Sequence, residues 1–245
     1  EVFMFEINPN YKVTVDNVNG RTVVILDDLY ENPDEVRKLA LTSGKSRNPS
    51  LINGLPGERV FVETDEVKKN LKPVFDEYCL SDIWSTNIDK RMYEFQWDAV
   101  GFMVNIMNQK SVVEEPWLSI PHQDRYSNDI GTDLNQFGVV IYLNTPEECD
   151  GGTNLYSYKG MMSLPYNTMD YIDKPDGFDA DIKTHEQIYP YIRNWLYGDR
   201  EWRVEYEAEM VYNRCVFYES DVLHSQNIDI GMFTEHNRMN QVFFL

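Results

Sequence analysis

Alternation of apolar and polar residues opens the chain: Tyr11-Lys12-Val13-Thr14-Val15 puts every second side chain on one face, as a half-buried strand does. Asn19-Gly20 is a two-residue hairpin signal, because both residues tolerate the positive φ such a turn needs. Arg21-Thr22-Val23-Val24-Ile25-Leu26 supplies the returning strand. The period then lengthens. Asn32-Pro33-Asp34-Glu35 predicts a helix start, with Asn as N-cap, Pro at the first helical position and acids against the positive end of the helix dipole. Gly44 is its expected stop. Residues 45–60 carry Pro, Gly, Asn and Ser and read as a loop. Thr64-Asp65-Glu66 begins a second helix whose Val67, Leu71, Val74, Phe75 and Tyr78 fall on one stripe. Both helices are expected to pack on a sheet.

From Arg91 the rhythm returns to two. Residues 93–97 and 101–107 read as adjacent strands. The run Phe137-Gly138-Val139-Val140-Ile141-Tyr142-Leu143-Asn144 is almost continuously apolar, which requires cover on both faces and so a central place in a sheet. Cys149-Asp150-Gly151-Gly152 predicts a turn into a strand over 153–158. Residues 160–200 break the pattern with Pro165, Pro175, Gly177 and Pro190, around one short helix near Ile188, Ile192, Trp195 and Leu196. Inserts of this size serve as lids, partner surfaces or packing. Strands follow over 202–212 and 215–218, with a turn at Asn213-Arg214 between them. Residues 236–245 form the last strand, on which Arg238, Asn240, Val242 and Phe244 share a face. The chain thus reads as mainly β with flanking helices.

Composition agrees with one large core. Of 245 residues, 42% are hydrophobic and 13% aromatic, and β folds of this length form single domains. One domain over 1–245 is expected, with strands and supporting helices in 1–90 and the β core in 91–245. Lys and Arg number 22 against 41 Asp and Glu, a net charge of −19. That field repels nucleic acid, and no basic stripe opposes it; the acidity is read as a solubility feature. Cys79, Cys149 and Cys215 are odd in number and far apart, which favours reduced thiols in a cytosolic setting. No stretch approaches the ~18 apolar residues of a membrane span. A cytoplasmic protein without a nucleic-acid or membrane partner is the expectation.

Candidate chemistry centres on Pro121-His122-Gln123-Asp124. Residues two apart on an extended chain project the same way, so His122 and Asp124 offer two metal ligands from one short step. Two imidazoles and one carboxylate are the set that holds non-haem Fe(II) on one face and leaves positions open. The third ligand must come from a distant strand, and His224 in Val222-Leu223-His224-Ser225 is the best candidate. His185 and His236 are read as surface or satisfied core residues.

The features His122-Gln123-Asp124, Tyr142-Leu143-Asn144, Asp150-Gly151-Gly152-Thr153, the run from Phe217 to His224, and Arg238 stand in an order that resembles the catalytic core of the Fe(II)- and 2-oxoglutarate-dependent oxygenases. The prolyl-4-hydroxylase-like branch is most similar, and Val24-Ile25-Leu26-Asp27-Asp28-Leu29-Tyr30-Glu31-Asn32-Pro33 is similar to the opening of related domains. The resemblance implies a double-stranded β-helix, a cupin-like jelly-roll of two facing antiparallel sheets with the metal in its mouth. It implies that His122, Asp124 and His224 bind iron, that 2-oxoglutarate chelates the iron, and that Arg238 and Tyr142 hold its far carboxylate. Two features depart from the branch. His224 and Arg238 are fourteen positions apart (224 to 238), so the loop through Asp229-Ile230-Gly231-Met232-Phe233 is expected to bulge out. Asn105 stands where prolyl-hydroxylase relatives carry Tyr.

The implied reaction is oxidative decarboxylation of 2-oxoglutarate with O2, coupled to hydroxylation of an unactivated C–H bond in a peptidyl, prolyl-like substrate or a free amino acid. Asp124 fills the position that halogenating members leave open to halide, which favours hydroxylation. Segments 108–120, 125–136 and 160–200 are the candidate substrate-facing parts. Two other readings compete: a cupin-type metal-binding or sensing module without turnover, and a structural member whose insert is a partner surface. Arg238 with Tyr142 speaks against the first, and the intact ligand set against the second.

Overall fold

The computed structural model describes residues 4–43, 58–61, 65–84, 103–107, 121–124, 136–164, 194–198, 201–229 and 231–245. The chain opens with the expected hairpin of β1 (Lys12–Val18) and β2 (Arg21–Asp27). Asn19 and Gly20 take φ of 50° and 81°, the mirror-image turn whose twist matches the strands. Helix α1 (Pro33–Thr42) starts where the sequence predicts, with Pro33 inside its first turn and Asp34 and Glu35 at its positive end. The Asn32 side chain makes no capping bond, so the start rests on proline geometry and the dipole. The helix stops at Thr42, its last turn closed by the Ser43 amide on the Leu39 carbonyl; Gly44 lies outside the described residues.

Strand β3 (Glu58–Phe61) falls at the end of the predicted loop, helix α2 (Asp65–Cys79) follows, and β4 (Met103–Met107) covers most of the strand expected at 101–107. The strand expected at 93–97 lies outside the described residues. Then come β5 (Phe137–Tyr142), β6 (Gly152–Tyr158), a π-helical turn at Asn194–Gly198, β7 (Trp202–Glu209), β8 (Cys215–Glu219), β9 (His224–Asn227) and β10 (Arg238–Phe244). Strand β7 is shorter than the 202–212 expected: it ends at Glu209, opposite Gly152 at the start of β6, and the chain then enters the turn at the left-handed Asn213.

The strands form two antiparallel sheets. Seven stand in the order β1-β2-β8-β5-β10-β4-β3 and three in the order β7-β6-β9. β5 is central, as its unbroken apolar run requires, and all six of its residues are buried. Registers put Val23, Ile25, Val140, Val216, Tyr218 and Val242 on one face of the larger sheet, where they pack with Leu155, Ala208 and Met210 from the smaller one. Alternate residues on the same strands, Val24, Leu26, Val139, Ile141, Phe217 and Phe243, face the helices. The predicted α2 stripe of Val67, Leu71, Val74, Phe75 and Tyr78 is buried among them. Phe75 sits edge-on to Phe217 at 5.2 Å and to Phe243 at 5.1 Å. Helices, large sheet and small sheet thus make three layers over two apolar cores. No helix among the described residues is long and apolar enough to cross a membrane. All three cysteines are free thiols.

Candidate metal centre

His122 and His224, 102 positions apart (122 to 224), are held together by their backbones. Each amide donates to the other's carbonyl at 2.9 Å, an isolated antiparallel bridge at the start of β9. Two residues on, the Asp124 amide donates to the Ser220 carbonyl at 2.8 Å. The step from 122 to 124 is therefore extended, and Gln123 points the other way, its amide nitrogen donating to the Asp221 carbonyl at 2.6 Å. On the near side the three expected ligands converge. His224 Nε2 lies 3.0 Å from Asp124 Oδ2, His122 Nε2 lies 3.6 Å from Asp124 Oδ1, and all ligand atoms fall within 4.8 Å of one another. Ligands held at about 2.1 Å and at right angles around one ion stand about 3 Å apart. His122 is the open side: its side chain is 40% exposed against 6% for His224.

Neighbours fix these ligands in place. His224 Nδ1 is 2.9 Å from the Val222 carbonyl, an acceptor, so Nδ1 carries the hydrogen and Nε2 keeps its lone pair. Burial would raise the Asp124 carboxyl, but His224, His122 and a hydrogen bond from Tyr218 together hold it below the usual range. Burial would lower His224, but Asp124 and the Val222 carbonyl raise it. These are the shifts of a carboxylate and an imidazole that attract each other as an ion pair.

Tyr218 was not singled out from the sequence. It is buried, bonds Asp124 through its hydroxyl, and its ring lies 4.6 Å from that of His224. A Cβ on Gly138 would come within 2.5 Å of the Tyr218 ring, so that glycine makes its room. A glycine inside an apolar strand was the available signal.

Arg238 begins β10 and is 1% exposed. One guanidinium nitrogen donates to Asn240 Oδ1, the other to the Gly152 carbonyl at 3.3 Å, and Nε has no partner among the described residues. Among the described residues no carboxylate lies in salt-bridge range. Burial pulls the guanidinium down from its ordinary value while Tyr142 and Tyr218 oppose that, and an arginine stays charged regardless. The guanidinium carbon sits 5.7 Å from the centre of the Tyr142 ring. The Tyr142 hydroxyl bonds Thr153 Oγ1 at 2.7 Å, and its ring is what meets the cation. Thr153 and Asn240 thus belong to this end of the site. The carbonyl that Arg238 bonds is placed by a close approach of strands, since a Cβ on Gly152 would fall 2.1 Å from the Ala208 carbonyl oxygen. Burial and Asp124 raise the Tyr218 hydroxyl while Arg238 lowers it, so both ends of the site act on this residue.

The loop between His224 and Arg238 does not simply bulge outward. Gly231 and Phe233 take φ of 99° and 55°, and this returns the Phe233 side chain into the inner core. His236 Nε2 sits 2.9 Å from the Glu148 carbonyl, a satisfied histidine as expected. Asn105 is in register with Asn240. His185 lies outside the described residues. So do segments 108–120, 125–136 and 160–200, except 136, 160–164 and 194–198.

Residues 8–238 match a protein family described as "Family of unknown function (DUF6445)". No curated protein matches the chain.

Proposed function

The chain belongs to that family, and from its own site we propose that it is an Fe(II)- and 2-oxoglutarate-dependent dioxygenase that hydroxylates an unactivated C–H bond of a peptidyl or free amino-acid substrate. The strand order supports a double-stranded β-helix. From β4 onward the chain passes between sheets: β4 in the large one, His122 bridged to β9 in the small one, β5 large, β6 and β7 small, β8 large, β9 small, β10 large. That alternation is what a jelly-roll winding requires, and it supports this reading.

The observation that carries the reading is one site with two unmet demands. Three ligands converge on a point suited to a dication, and a buried arginine lacks a carboxylate among the described residues. A lone buried charge costs several kcal/mol, so Arg238 calls for an anion. A small diacid that reaches the metal with one end and Arg238 with the other answers both demands, and 2-oxoglutarate has that chemistry. A cupin-type binding module explains the ligands and leaves Arg238 without a purpose.

With Fe(II), 2-oxoglutarate and O2 bound, the group would supply the oxidising power for hydroxylation, releasing succinate and CO2. The chain's own residues bind and orient. His122, Asp124 and His224 would occupy one face of the ion and leave the rest open. Val222 holds the hydrogen on His224 Nδ1, and Tyr218 orients the Asp124 carboxylate. Arg238 offers a fork of donors to the far carboxylate, steered by Asn240 and the Gly152 carbonyl. Val140, Leu155, Val216 and Val222 exclude water around them.

The test is succinate formation from 2-oxoglutarate by anaerobically iron-loaded protein on exposure to O2. Wild type is expected to form succinate, and His224→Ala and Arg238→Ala are expected to lose it. Wild-type protein that neither forms succinate nor binds Fe(II) and 2-oxoglutarate would sink the proposal.

A further inference from the structure

Arg21 stands on β2, some two hundred positions before the turn it grips. Its two terminal nitrogens each lie 3.1 Å from an Asp221 carboxylate oxygen, a bidentate fork, and Nη1 also bonds Glu219. All three side chains are largely removed from water, at 16% exposure for Arg21, 2% for Glu219 and 21% for Asp221. Ser163 Oγ adds a bond to Asp221 Oδ2 at 2.8 Å, and Gln123 takes the Asp221 carbonyl.

The gripped turn is the platform of the metal centre. The Ser220 carbonyl receives the Asp124 amide, and the Val222 carbonyl receives His224 Nδ1. The Val222 amide closes the turn on the Glu219 carbonyl at 3.0 Å. Two ligands therefore take their orientation from residues 219–222. Those residues carry two carboxylates that would repel each other, and would compete for a cation, without Arg21 between them.

We infer that Arg21 is a positioning residue of the metal centre: it neutralises Glu219 and Asp221 and fixes the turn so that Asp124 and His224 present their ligand atoms together. The inference rests on the metal-site reading above. Changes to groups that orient metal ligands lower affinity about 10–100-fold, and that is the effect expected here.

Co(II) is the probe, read by competition titration and by its visible ligand-field spectrum, with the melting temperature of each metal-free variant measured alongside. Arg21→Gln is expected to bind Co(II) about 10–100-fold more weakly, with an altered spectrum. Arg21→Lys should recover part of the loss. Asp221→Asn, which breaks the grip from its other end, should reproduce it and serves if Arg21→Gln fails to fold. Arg37→Gln is the control. Arg37 grips Glu148 at 2.9 and 2.7 Å with similar exposure but away from the triad, so its loss should lower melting and leave affinity and spectrum unchanged. Wild-type affinity and spectrum in the Arg21 and Asp221 variants, or an equal loss in Arg37→Gln, would overturn the inference while leaving the metal site standing. Wild type that takes up no Co(II) would bring down both.

Discussion

Replacing Tyr218 by Phe removes one hydroxyl and keeps the ring that fills the space beside Gly138. A hydrogen bond to a charged acceptor contributes about 1.5–3 kcal/mol, so the Asp124 carboxylate should become freer to rotate. Co(II) affinity is expected to fall roughly 10-fold with little change in melting temperature, which a titration and a thermal melt of the same sample would check. Unchanged affinity would remove Tyr218 from the site. The five residues read from the sequence, His122, Asp124, His224, Arg238 and Tyr142, are the ones whose chemistry is fixed by their type: imidazole, carboxylate, guanidinium, phenol. Asn240 was placed beside Arg238 by the period of the strand, but Tyr218 and Thr153 were not legible. A hydroxyl acquires a role only from what lies across from it, and their partners Asp124 and Tyr142 are set by the fold. Arg21 was hidden for the same reason, because no local pattern links position 21 to position 221.

Strands and helices were read well where burial leaves a period in the sequence. β5 was legible because both of its faces are covered, and α2 because only one of its faces is. Their ends were less so. β7 stops at Glu209 because its partner β6 begins opposite it at Gly152, which no property of residues 209–212 announces. The loop before β10 was expected to bulge out, whereas Phe233, with its positive φ, is buried in the inner core. The two cores can be separated by experiment. Phe75→Ala empties a site between α2 and the outer face of the large sheet and should cost about 3–5 kcal/mol. In a chain of this size each kcal/mol lowers melting by roughly 2–4 °C. Co(II) affinity should hold, since the triad lies on the opposite face; a matching loss of affinity would show that the two layers do not act independently.

The molecule as a whole carries −19 charges, and this sets the control for any metal measurement. A dication bound at 100 times its dissociation constant adds about 2.7 kcal/mol to stability, or roughly 5–11 °C in melting temperature. Wild-type protein is expected to show such a shift with Co(II), to lose it on adding a chelator, and to show little of it as His224→Ala. An equal shift in the variant would mean that the ion gathers on the acidic surface rather than at the triad. The paired amides of His122 and His224 have a further consequence, for the order in which the protein is made. A ribosome releases position 122 long before position 224, and everything from β5 to β8 emerges in between. Until that last stretch is out, His122 and Asp124 have neither a third ligand nor a backbone to lie against. Whatever ion all three hold must therefore be acquired late, by a chain whose strands β5 to β8 have already emerged.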